Sequence, residues 1–129
     1  MRSALLIVLG LVIGILGSVF TFSALHQRTP LPKAVMTVMA YHSSVLHHAV
    51  KANQCDAAAI ATHLARLQST ALDIPAAFKG AEKPFLEASD KLQGAVGSAV
   101  TAAPTSCAAL ATALQPVDDA CDSCHKRFR

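Results

Sequence analysis

Near its C-terminus the chain reads Cys121-Asp122-Ser123-Cys124-His125, the segment whose residue types and spacing carry the clearest chemistry. Two cysteines three apart on a helical turn present both sulfurs to one side, where they can form thioethers to the two vinyl groups of a haem. The adjacent histidine is then held where a ring nitrogen can ligate the iron. Two other chemistries use similar residues. A thioredoxin-like dithiol wants the motif at the start of a helix that follows a strand, where the helix dipole lowers the thiol pKa, whereas here it closes a helix. A zinc site would need a fourth ligand such as His26 or His42. The favoured reading is one covalently attached c-type haem, with Cys121 and Cys124 as attachment points and His125 as the proximal iron ligand. No convincing nucleophile, base and oxyanion arrangement is present, so the chain reads as a non-enzyme.

The elements that must position this motif read as helices. Among 129 residues there is no tryptophan, one tyrosine and five phenylalanines, and runs of Val, Ile and Thr that would mark strands are few. Thr29 and Pro30 give a start signal, after which Val35, Met39, His42 and Leu46 recur at spacings of three and four, predicting a helix over 31–52. Asp56 can cap a second helix carrying Ile60, Leu64, Leu67 and Ala71, which closes at Ile74-Pro75. Pro84 opens a third, with Phe85, Leu92, Val96 and Val100, weakened by Gly94 and Gly97. A turn at Pro104-Thr105-Ser106 leads to a fourth, carrying Leu110, Leu114, Val117, Cys121, Cys124 and Phe128, in which Pro116 predicts a kink or local break. Four helices with short connections pack most simply as an antiparallel up-down-up-down four-helix bundle. The start of the first helix and the end of the fourth then share one end.

Residues 4–25 form an uncharged apolar stretch between Arg2 and Arg28, and as a helix would span roughly 33 Å, enough for a bilayer core. A cleavable signal peptide is the rival, but the exit offers only Thr21 and Ser23 as a weak small-x-small pair. The expectation is an uncleaved N-terminal transmembrane helix over 1–28 and a cytochrome domain over 29–129. A c-type haem is normally attached outside the cytoplasm, so the domain would lie in the periplasm of a bacterium, anchored single-pass in the inner membrane, or soluble there if the leader is cleaved. An exported compartment permits oxidation. With Cys121 and Cys124 assigned, Cys55 and Cys107 remain, one in each turn at the other end of the bundle, and are expected to form a disulfide. A net charge of +3 with scattered bases argues against nucleic acid as a partner.

The ending Cys121-Asp-Ser-Cys124-His125-Lys-Arg-Phe128-Arg129, on the last of four helices, resembles the class II c-type cytochromes, the cytochrome c′ family. The segment Val50 to Ile60, then Leu67 and the turn Ile74-Pro75-Ala76-Ala77-Phe78, is also similar to that family. The resemblance covers about Leu31 to Arg129 and implies a four-helix bundle. In that family the distal haem face is supplied early in the first helix. Aligning Met36-Thr-Val-Met39-Ala-Tyr-His42 with that stretch puts Met36 at the distal position, as in low-spin, methionine-ligated members; Met39 is the nearest substitute. Arg129 matches the family's arginine after the motif and would approach a propionate or the proximal histidine. Where the family often has an arginine one turn before the distal residue, this chain has Pro32, leaving Lys33 to serve. The resemblance implies electron transfer with redox partner proteins, and allows a homodimer through the first two helices. Its second reading is an open distal face that binds NO or another small gas. His42, His47, His48 and His63 are expected at the surface or rim.

Overall fold

The computed structural model describes residues 7, 8, 10–18 and 31–128, and the chain divides into two compact units, Met1–Pro30 and Leu31–Arg129. Every regular element among the described residues is helical. In the first unit, residues 10–18 are helical and exposed. Among the described residues no helix is long and apolar enough to cross a membrane. This corrects the expected transmembrane helix and the single-pass inner-membrane placement that rested on it. Gly10, Gly14 and Gly17 weaken the helix there. Residues 4–6, 9 and 19–25 of the apolar stretch, and the Thr29-Pro30 start signal, lie outside the described residues.

The second unit comprises α1 (Leu31–Ala52), α2 (Ala57–Leu72), the single turn α3 (Ile74–Ala77), α4 (Lys83–Ala102) and α5 (Cys107–Phe128). Each boundary has a local cause. At the end of α1, Asn53 takes the left-handed conformation (φ 53°), and the N–H groups of Asn53 and Gln54 return to the carbonyls of Val50 and Ala49. These two bonds satisfy carbonyls that a helix end leaves orphaned. Asp56 caps α2 by accepting a hydrogen bond from the N–H of Ala59 at 2.8 Å, and Ser106 does the same for α5 through Ala109 at 3.2 Å. Helix α4 carries Pro at its start and ends at Ala103, which sits at φ 42°. Helix α5 runs unbroken through Pro116. The carbonyl that proline leaves without its helical donor belongs to Thr112, on the exposed side, where water can satisfy it.

Helix α1 packs on α2 and α5, and α4 packs on the same two, so the four long helices close a ring around one core. Val35, Met39 and Leu46 meet Ile60, Leu64, Leu67 and Ala71 there, with Leu92, Val96 and Ala99 of α4 and Leu110, Leu114, Val117 and Ala120 of α5. A disulfide joins Cys55 to Cys107 with the Cα atoms 5.3 Å apart, fastening the α1–α2 turn to the start of α5. The short α3, which periodicity did not separate from α2, buries Ile74 and turns the chain toward α4.

Two changes test this account of the ends. Reduction, or Cys55→Ser with Cys107→Ser, frees a loop spanning 52 positions and is expected to lower stability by about 4 kcal/mol by the chain-entropy relation, read from urea midpoints with and without reductant. Ala103→Gly removes the strain of a side chain in the left-handed region and is expected to raise stability by roughly 1 kcal/mol.

Candidate haem crevice

The buried stripe of α5 runs Leu110, Leu114, Val117 and Ala120, and Cys121 and Cys124 continue it toward the C-terminus. The spacing that builds the core therefore also turns both sulfurs inward, where each is half-buried and unpaired by any disulfide. His125, the next residue, is carried to the exposed margin of the same turn. His125, Lys126 and Arg127 occupy the last turn of α5, where the helix dipole favours positive charge.

These side chains face a cleft. Its inner part encloses about 740 Å³ of empty space, some of it open to solvent, and is lined by Cys121, Cys124 and His125 of α5, Met36, Met39, Ala40 and Ser43 of α1, and Leu67, Ile74, Phe85, Ser89, Leu92 and Val117. Its outer part, about 1000 Å³, is lined by Lys33, Thr37, Phe78 and Phe128 together with Met36, Ala40, Phe85, Cys124 and His125, which belong to both. Phe85 joins the wall of aromatic rings, 4.8 Å from Phe78 and 5.5 Å from Phe128 between centroids. The walls are overwhelmingly apolar. Within the inner part Ser89 is the buried polar side chain, its hydroxyl oxygen accepting a hydrogen bond from Gln93 Nε2 at 3.1 Å.

The sequence-selected residues converge unequally. Cys121, Cys124, His125 and Met36 line one cleft. Met36 borders both parts of it, whereas Met39 reaches only the inner part and is 5% exposed, fixed in the core. Lys33 stands at the outer rim. Arg129 lies outside the described residues. Of the histidines expected at the surface, His47 and His48 are exposed, and His47 Nε2 pairs with Asp118 at 2.9 Å. His42 and His63 are instead half-buried and meet each other, a pairing that needs the register of α1 on α2 and that neither helix's own periodicity carries.

Burial raises the Cys121 thiol from an ordinary value of 9.0 to about 11, with Asp118 and Asp122 adding to the effect, and burial raises Cys124 as well. A redox dithiol or a thiolate zinc ligand needs the opposite shift. Among the described residues no group of three or more His, Cys, Asp or Glu side chains is placed to hold a metal ion. A haem asks for something different: two sulfurs in an apolar wall, one histidine beside them and one further ligand from the facing helix. The residues present fit that requirement. Comparison of the chain with protein-family models, with curated proteins and with solved structures found no match.

The raised thiol sets a pH dependence for the chain without haem. A thiol that binds its proton more tightly folded than unfolded contributes stability that is fully present below the unfolded pKa and is lost as pH rises through the folded one. The urea midpoint of the haem-free chain is therefore expected to fall between about pH 9 and about pH 11, and Cys121→Ser should flatten that fall. A fall of the same size in both proteins would contradict it.

Proposed function

We propose that the chain is a one-electron transfer protein carrying a single covalent c-type haem in the cleft between the start of α1 and the end of α5, where His125 and Met36 would hold the iron. The observation that carries this reading is the convergence of Cys121, Cys124, His125 and Met36 on one apolar cleft from two helices at opposite ends of the sequence. The resemblance of the C-terminal motif to the class II c-type cytochromes supports the same reading. When bound, the haem supplies an iron that alternates between the ferric and ferrous states.

Each residue then has a role. Cys121 and Cys124 would hold the haem covalently, each thiol becoming a thioether to one vinyl group with its proton passing to the vinyl carbon, so that attachment would need no oxidant. The uncharged thioethers that result suit a wall whose burial already disfavours thiolate. His125 would supply an imidazole nitrogen to the iron. Met36 would supply a thioether sulfur from the facing helix, a ligand that favours the ferrous state and raises the reduction potential. Met39, Leu67, Leu92 and Val117 keep water from the inner cleft. Lys33, at the rim, is placed to pair with a propionate. The exposed margin at His125 and Phe128 is where partner redox proteins would exchange electrons.

Absorption spectra of the matured protein test the ligation. The oxidised form is expected to show the weak band at the red end that reports sulfur bound to ferric iron, and the reduced form to ignore CO. Met36→Ala is expected to abolish that band and admit CO, while Met39→Ala keeps both wild-type features. A wild-type spectrum that is high-spin and shifts with CO would mean an open distal face and a gas-binding protein instead.

A further inference from the structure

Outside the cleft, His42 of α1 and His63 of α2 bring their Nδ1 atoms to 2.9 Å, with ring centroids 5.1 Å apart and ring planes inclined by 60°. Neither ring lines the cleft. The core on either side of them, Met39 and Leu46 on α1 and Ile60, Leu64 and Leu67 on α2, fixes the two backbones, so the rings are brought together before any ligand arrives. In the neutral pair one Nδ1–H donates to the other Nδ1. That proton occupies the position a cation would take.

The geometry points to a binding site for a late first-row divalent cation, Cu²⁺ above the others, held by Nδ1 of His42 and Nδ1 of His63. Imidazole nitrogen is a preferred ligand for such ions, whereas Mg²⁺ and Ca²⁺ require oxygen. With metal–nitrogen distances of about 2.0–2.1 Å, nitrogens 2.9 Å apart subtend roughly 90° at the ion. That is the angle between neighbouring ligands in a tetragonal Cu²⁺ or Ni²⁺ site; a tetrahedral Zn²⁺ site would want the nitrogens about 3.4 Å apart. The rings meet nearly head-on, so coordination requires each to pivot off the shared axis, a movement that half-buried side chains can make. Coordination also requires both rings in the tautomer protonated at Nε2. One proton moves from Nδ1 to Nε2 and none is released.

The surroundings set the strength. Among the described residues no carboxylate, cysteine or third histidine completes a protein ligand set around the pair, so water takes the remaining positions. Arg66 lies close enough to act on His42 electrostatically and opposes a bound cation. The Tyr41 ring packs edge-on against His42 at 5.1 Å and closes one side.

Titration of the purified whole chain with CuCl₂, followed by calorimetry and by the Cu²⁺ paramagnetic resonance spectrum, tests the site. One Cu²⁺ per chain is expected with nitrogen hyperfine structure. Affinity should fall at least tenfold in His42→Ala and in His63→Ala, stay unchanged in His47→Ala, and rise severalfold in Arg66→Ala, which keeps both ligands. Ni²⁺ and Zn²⁺ should bind in that order, more weakly. Cu²⁺ should raise the Tm of the wild type and not of His42→Ala, separating a lost ligand from a misfolded variant. Absent binding, binding indifferent to His42 and His63, or Zn²⁺ preferred over Cu²⁺ would overturn the proposal.

Discussion

The contact of α1 with α5 is the constraint on which the rest of the molecule depends. Neither helix makes the cleft alone. Helix α5 offers Cys121, Cys124 and His125 along one edge, and α1 offers Met36 and Ala40 across from them, so the space exists because the first and last long helices are neighbours. That neighbourhood follows from short connections: each helix is followed closely by its antiparallel successor, which brings the start of the first beside the end of the fourth. The disulfide between Cys55 and Cys107 acts at the far end, holding the α1–α2 turn against the start of α5.

Within this frame the same side-chain periodicity serves packing and chemistry. Leu110, Leu114 and Val117 are 0–1% exposed, while Cys121 and Cys124, next on the stripe, are half-buried because the bundle opens at that end. The opening is lined by Phe78, Phe85 and Phe128, where a well-filled bundle would close with aliphatic side chains. Apolar walls with few hydrogen-bonding groups suit a flat, hydrophobic macrocycle, and they raise the thiol pKa of the cysteines for the same reason. Site and electrostatics thus have one cause.

Much of this was legible in the sequence. The span 31–52 of the first helix, the Asp56 cap and the buried quartet Ile60, Leu64, Leu67 and Ala71 all follow from local spacing and capping, which act within a few residues. The Cys55–Cys107 pairing followed from topology, since two turns at one end of an antiparallel bundle must be near. The misses have physical reasons too. Hydropathy over residues 4–25 registers apolar character alone, and among the described residues no helix is long and apolar enough to cross a membrane. Pro116 does not break α5: its lost bond leaves a carbonyl that faces water, and the packing of the helix's apolar stripe offsets the remaining cost of about 3 kcal/mol. His42 falls on the stripe of α1 but finds its partner on α2, and such a meeting depends on inter-helix register, which a single chain's periodicity does not encode.

The most direct measurement is the mass of the denatured chain after expression with a haem-attachment system, together with a count of alkylatable thiols under reducing conditions. A mass increased by one haem that survives denaturation is expected, with only Cys55 and Cys107 open to alkylation once their disulfide is reduced. An unmodified mass with all four cysteines alkylated would contradict covalent haem attachment.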